Sequence, residues 1–163
     1  MFRRCGSAYA AVMRIALFQP EIAGNVGAVL RLAACLDVAV DLIEPMGFTW
    51  DDARVRRAAM DYIDHVAITR HKDFDAFRAT IGGSRLILMT TKSGQSLYDA
   101  TFQPDDILLF GQESAGVPSE VAAACELKLK IPIAPAVRSF NVAMAAGIAL
   151  SEALRKTGKL PVA

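Results

Sequence analysis

Asn25, Arg31, Glu113, Ser139 and Asn141 are polar side chains set in three loops marked by glycine or proline: "QPEIAGNVGAVLR", "GQESAGVP" and "APAVRSFN". In the first loop Asn25 is well placed as a helix N-cap, Gly27 allows a close backbone approach, and Arg31 follows about one and a half turns later. A capped helix carrying one exposed arginine accounts for that segment equally well. In the second, Gly111 and Gly116 flank a Glu-Ser pair and Pro118 suits a first helical turn, so exposed backbone amides can cradle a ligand; a plain strand-to-helix turn is the alternative. Glu113 is not demanded by turn chemistry, and its carboxylate either accepts hydrogen bonds from an arginine or an adenosine or faces water. In the third, one oxygen from Ser139 or Asn141 suffices to cap the following helix, yet Arg138, Ser139 and Asn141 supply three polar side chains.

Other chemistries are disfavoured. His65 and His71 are the only histidines, and neither lies near a serine or cysteine motif, which argues against a Ser/His/Asp or Cys/His hydrolase. Cys5, Cys35 and Cys125 are widely separated and form no C-x-x-C or Cys/His spacing, so neither a disulfide framework nor a metal site is indicated; a reducing intracellular compartment, the cytoplasm, fits best. Basic residues cluster at Arg54, Arg56 and Arg57 and at Arg70, His71 and Lys72. A solvated helix face is the usual reading of such runs, with RNA contact the alternative.

The elements that must position these residues follow from the apolar pattern. The chain has 163 residues, 53% hydrophobic and 21% charged, with a formal net charge of +1, which suits one domain and leaves any nucleic-acid affinity to a local patch. Residues 1 to 12 read as a loose extension, neither signal nor membrane anchor, ahead of a single domain over 13 to 163. Aliphatic runs at 14–18, 39–44, 65–69, 85–91, 106–110 and 126–131 predict strands buried on both faces and therefore parallel. Helical patterns at 25–36, about 50–60, 73–81, 118–125 and about 140–157 alternate with them, the pattern of an α/β domain with a mostly parallel sheet flanked by helices. In such sheets ligands bind beyond the carboxyl ends of the strands, where all three polar loops fall. Alanines 143, 145, 146, 149 and 153, with Gly147, make the last helix thin enough to pack tightly against another element or a second subunit.

In order, "PEIAGNVGAVLRLAA", "IEPMGFTWDDARVRRAAMDY", "TRHKDFDAF", "TTKSG", "LLFGQESAGVP" and "IPIAPAVRSFN…EALRK" cover nearly the whole chain. Together they resemble the SPOUT class of RNA methyltransferases, and more closely the family that methylates the ribose 2′-hydroxyl of the wobble cytidine or uridine of tRNA. The resemblance implies a C-terminal deep trefoil knot, S-adenosylmethionine bound bent within it and no metal. It also implies a homodimer and the anticodon loop of tRNA, leucine isoacceptors among them, as partner. On this sequence the cofactor pocket would be formed by Met89, Gly111, Ile131 and Ser139, and the RNA side by Asn25, Arg31, Glu113 and Asn141. Arg31 is the main catalytic candidate; because arginine stays protonated, orienting the hydroxyl and phosphate or steadying negative charge suits it better than acting as a base.

Three departures from the family pattern stand out. Ala143 and Met144 occupy positions that are usually Ser and Asn, Ser151 stands where a tyrosine commonly precedes the glutamate matching Glu152, and Ala23-Gly24 replace two prolines. Ala143, Met144 and Ser151 are the only support for an alternative, an RNA-binding protein of the same fold with weak or lost turnover. A nucleotide-binding oxidoreductase is disfavoured because no dinucleotide fingerprint is present.

Overall fold

The computed structural model describes residues 12–162, so Cys5 and, Val12 aside, the expected extension over 1–12 lie outside the described residues. Six strands, β1 (Arg14–Phe18), β2 (Ala39–Ile43), β3 (Ile68–His71), β4 (Leu86–Met89), β5 (Ile107–Phe110) and β6 (Leu127–Leu129), form one sheet in the order β3-β2-β1-β5-β4-β6. Every pairing is parallel. Helices α1 (Ala23–Leu36), α2 (Asp52–Ala59), α3 (Phe74–Arg78), α4 (Ser119–Ala123) and α5 (Val142–Thr157) supply the crossovers and the C-terminus.

The four inner strands β1, β2, β4 and β5 are mostly aliphatic because both their faces are covered, whereas the edge strands β3 and β6 expose Thr69, Arg70 and Lys128. Alternate residues of β1 divide between two cores: Ile15 and Leu17 join the residues of α1, α2 and α5, whereas Ala16 and Phe18 join those of α3 and α4. Each fully buried leucine or isoleucine contributes about 1.5–3 kcal/mol, so β4 and β5, buried along their whole length, anchor the centre.

Small residues set the helix spacing. A Cβ on Gly27 would lie 2.3 Å from the Cβ of Ala58, so α1 and α2 touch nearly backbone to backbone. The thin face of α5 meets α1, with Leu32 of α1 lying over Gly147, and Lys156 near its end donates to the carbonyls of Tyr98 and Ala100.

Three expectations are corrected. The strand expected at 65–69 lies at Ile68–His71, because Met60–His65 wind into a 3-10 turn first. Helix α1 begins at Ala23, with Ile22 at the cap position and no side-chain cap, so Asn25 lies inside the first turn rather than capping it. Pro118 occupies the cap position of α4 instead of its first turn.

The second basic cluster is split: Arg70 and Lys72 are exposed, whereas His71 turns inward. His71 is buried with its Nε2 2.7 Å from Asp41 Oδ1, and Arg70 donates to Glu44 at 2.7 Å while lying over the Trp50 ring. Arg14 Nη1 sits 3.2 Å from the other Asp41 oxygen, an ion-pair distance without hydrogen-bond alignment. Asp106, also fully buried, accepts both Arg85 Nε and Nη2 at 2.8 Å and the Gln103 amide at 2.7 Å.

Candidate active site

The carboxyl ends of β1 and β5 are adjacent, so the loops after them meet, and five hydrogen bonds hold them together. Glu113 Oε2 accepts the Glu21 amide at 3.2 Å, while the Glu21 carboxylate accepts the Ser114 amide at 2.9 Å and the Ser114 hydroxyl at 2.6 Å. Gln112 Nε2 donates to Gln19 Oε1 at 3.0 Å. This reciprocal clasp fixes the direction of Glu113, whose second oxygen accepts Asn25 Nδ2 at 3.2 Å. Donation from Ser114 Oγ, followed by its amide, holds the Glu21 carboxyl below its ordinary value of 4.5.

The third loop joins through Asn141. Its Oδ1 caps α5, accepting the amides of Ala143 at 2.9 Å and Met144 at 3.4 Å, and its Nδ2 donates to Asn25 Oδ1 at 3.0 Å. Asn141, Asn25 and Glu113 therefore form one hydrogen-bonded chain drawn from three loops. Asn25 is free to serve as its middle member because it is not spent on capping α1.

The "EPMGFTWDD" segment braces the first loop from outside. The Gly47 amide donates to the Pro20 carbonyl at 2.9 Å, and a Cβ on Gly47 would lie 2.8 Å from the Glu21 Cα. Within the second loop, Gln112 and Gly116 exchange amide–carbonyl bonds of 2.8 and 2.9 Å. Together with the Ser114–Glu21 bond, this occupies three of the amides that the sequence offered as a ligand cradle.

Arg31 is exposed and bonds to none of Asn25, Glu113 or Asn141. Its Nη1 lies 3.1 Å from Met60 Sδ, and its guanidinium carbon lies 5.0 Å from the centroid of the Tyr62 ring, a cation–π arrangement. Met60 adopts φ 56°, ψ −142°, a conformation costly for a residue bearing a side chain, and this turn out of α2 places both Met60 itself and Tyr62 against Arg31. Arg31 is thus held by neutral groups, and among the described residues no carboxylate pairs with it.

On the other side of the sheet edge, strand register aligns Met89 with Phe110 and with Leu129. Met89, Gly111 and Ile131 therefore stand together at the carboxyl ends of β4, β5 and β6. A Cβ on Gly111 would lie 2.5 Å from the carbonyl carbon of Gly116, so this position tolerates no side chain. Ile131 lines a cleft with Thr91, Lys130, Pro132 and Ile133. Ser139 is exposed and makes no hydrogen bond to the other three residues.

Residues 131–140 make one main-chain hydrogen bond outside regular structure, Val137 to Ala134, leaving their other amides and carbonyls available to a ligand. A cleft that sets Ile131, Pro132 and Ile133 beside Thr91 and Lys130, edged by free main-chain donors and acceptors, fits the adenosine of S-adenosylmethionine. Among the described residues no group of His, Cys, Asp or Glu is arranged to hold a metal ion.

Sequence reading missed Gln19, Glu21, Gln112 and Ser114, whose partners lie more than ninety residues away. It also missed Met60 and Tyr62, although both stand in the quoted "RRAAMDY" run.

Known proteins resemble this chain over most of its length. A protein of Beijerinckia indica named tRNA (cytidine(34)-2′-O)-methyltransferase is 53% identical over 90% of this chain and 92% of its own. A solved structure described as giving insight into 2-OH methylation of C/U34 on tRNA superimposes with a TM-score of 0.85 at 41% identity, covering 90% of this chain and 96% of that one. An AdoMet-bound rRNA methyltransferase from Sinorhizobium meliloti superimposes with a TM-score of 0.81 at 26% identity, over 88% of this chain and 56% of that one. Residues 12–151 match the profile of the SpoU rRNA Methylase family, and the chain belongs to that family of methyltransferases.

Proposed function

We propose that this chain transfers the methyl group of S-adenosylmethionine to the ribose 2′-hydroxyl of nucleotide 34, a cytidine or uridine, in the anticodon loop of tRNA. The reading is carried by one observation: Asn25, Glu113 and Asn141 are hydrogen-bonded into a single unit at the first turn of α1, the helix that bears Arg31. The high identity to a relative named for that reaction supports it.

When bound, the cofactor supplies an electrophilic methyl carbon on a sulfonium. The chain's own residues position the attacking oxygen and manage charge around it. Met89, Gly111, Ile131 and the free backbone of 131–139, with Ser139, hold the adenosine. Asn25, fixed from both sides, orients the ribose. Among the described residues no carboxylate compensates Arg31, so its charge is available to orient the hydroxyl and adjacent phosphate and to steady the negative charge on the oxygen as its proton leaves.

The knot belongs to the same proposal. Residues 128–130 bond to the 93–97 loop through Ser93 Oγ to the Lys128 carbonyl, Lys130 N to the Gln95 carbonyl and Leu97 N to the Lys130 carbonyl. The chain then runs on into α5, whose Lys156 returns to residues 98 and 100 of the same loop, as a threaded C-terminus would. A homodimer of one-domain subunits over 13–163 is proposed from the apolar side chains exposed around the start of α5, Val137 at 58%, Phe140 at 41% and Met144 at 61%. Met144 and the small, exposed Ser151 then help to shape that interface. A tRNA-modifying enzyme of this kind works in the cytoplasm, and among the described residues no helix is long and apolar enough to cross a membrane.

The test is nucleoside mass mapping of tRNA incubated with the protein and S-adenosylmethionine. A ribose methyl at position 34, in leucine isoacceptors first, is the expected result, and tRNA left unmethylated there overturns the proposal. Arg31→Ala is expected to abolish turnover while calorimetric binding of S-adenosylhomocysteine persists.

A further inference from the structure

The basic run on α2 divides into unlike parts. Arg56 is paired with Asp64 at 3.3 Å. Arg54 and Arg57, one turn apart and both exposed, have no carboxylate partner among the described residues, and both line a cleft whose remaining walls are Ala23, Gly24 and Ala58. The acids nearest in sequence are already engaged: Asp51 Oδ1 accepts the Ala53 amide at 2.9 Å and Asp52 Oδ1 accepts Trp50 Nε1 at 2.6 Å. Glu21 is held by Ser114. The floor is open, since a Cβ on Gly24 would meet no atom within 4 Å. The small side chain of Ala23 and the bare backbone of Gly24 leave this space.

The position matters as much as the charge. Gly24 adjoins Asn25, the middle member of the hydrogen-bonded chain, so the cleft opens one residue from the site proposed to hold the ribose. Arg31 lies seven residues beyond Gly24 on α1, about 10 Å along the helix axis. A polyanion whose ribose sits at Asn25 passes both.

We propose that Arg54 and Arg57 form a phosphate subsite that grips one backbone phosphodiester of the RNA next to the methylated nucleotide, an inference that rests on the function proposed above. Two guanidinium forks converging on one cleft suit the several oxygens of a phosphodiester, and such a contact is independent of base identity. The subsite fixes the register of the anticodon loop over Asn25 and Arg31, while Arg56, neutralised by Asp64, takes no part.

The experiment is fluorescence anisotropy of a labelled anticodon stem–loop RNA against KCl from 50 to 200 mM, with methylation kinetics on the same RNA. R54A/R57A is expected to lower the slope of log K against log[salt] by about 0.7–0.9, the release that accompanies one phosphate contact. Its KM for RNA rises about tenfold with kcat at saturating RNA and S-adenosylhomocysteine binding held, because a contact present equally in ground and transition states is removed. R54K/R57K keeps the slope, and R56A keeps both slope and KM. An unchanged slope in R54A/R57A, an equal fall in R56A, or rescue of R54A/R57A by inorganic phosphate alone overturns the subsite. If the wild-type protein leaves the RNA unmethylated yet R54A/R57A still flattens its salt dependence, the assigned reaction fails and the subsite stands. If methylation proceeds and the slope is unmoved, the subsite alone fails.

Discussion

Asn141 does two jobs with the two ends of one amide, and the structure fixes which end does which. Glu113 as a carboxylate can only accept, so Asn25 must turn its Nδ2 toward it; Asn25 Oδ1 then faces Asn141, which must donate, leaving Asn141 Oδ1 to cap α5. Replacing Asn141 with Asp separates the two jobs. The carboxylate still accepts the Ala143 and Met144 amides, and a negative charge at a helix amino end is favourable by about 0.3–1 kcal/mol. The donor to Asn25, however, is gone, and acceptor now faces acceptor at 3.0 Å. If Asn25 rotates its amide to relieve this, its oxygen confronts Glu113 instead, so one contact in the chain is lost either way.

N141D is therefore expected to keep the wild-type melting temperature and to lose at least about tenfold in kcat, one hydrogen bond of about 1.4 kcal/mol spent on positioning. N141A loses both jobs. Its cap costs about 1 kcal/mol, or about 2–4 °C in a domain of this length, and its turnover falls as far as that of N141D. Differential scanning fluorimetry and single-turnover methylation of tRNA read the two quantities separately. N141D turning over within about twofold of wild type would refute the directional chain, since the rate would then be indifferent to which end of the amide faces Asn25.

Gly27→Ala places a Cβ 2.3 Å from that of Ala58, and the resulting separation of α1 and α2 is expected to cost about 1–3 kcal/mol in urea unfolding. Because Met60 and Tyr62 follow α2, the same variant loosens Arg31 and lowers kcat. Asp106→Ala strands the Arg85 guanidinium and the Gln103 amide at a fully buried site, with an expected loss of about 3 kcal/mol, the low end of the range for breaking a buried pair because Arg85 keeps some exposure. Glu21 has a folded value held below 4.5, so its contribution is complete above that pH and is lost as pH falls through the lowered value. Wild type is accordingly more stable than E21Q at neutral pH, and the gap in melting temperature closes on acidification below 4.5; a gap that widens there would reverse the assigned sign.

What the sequence disclosed depended on how local the governing physics is. Strands β1, β2, β4 and β5 were legible as aliphatic runs because each is covered on both faces, and their shared direction followed from the same burial; β6, at the far edge with Lys128 exposed, was legible from Leu127 and Leu129. Strand β3 was misplaced by about three residues for the converse reason. It sits at the sheet edge, where Thr69 and Arg70 face solvent, and its one fully buried side chain is His71, which a search for apolar runs passes over. The Asp41–His71 contact that buries that histidine joins residues thirty apart and leaves no local mark.

The site divides in the same way. Asn141 could be read as a cap because capping is a matter of two or three residues, whereas Asn25 was misread as one because a polar residue opening a helix looks alike whether or not its side chain turns back on the backbone. The uncapped start at Ile22 frees that amide, and the need for it elsewhere appears only when Glu113 and Asn141 arrive from 88 and 116 residues away. Arg31 follows the same logic in reverse. Its sequence neighbours give no reason for it to lack a carboxylate, and only the turn at Met60, with its positive φ, explains why sulfur and a Tyr62 ring surround a guanidinium that surface chemistry would ordinarily pair. Neutral contacts hold the side chain in place without neutralising its charge, which is what an arginine must keep if it is to meet a phosphate or a nascent alkoxide.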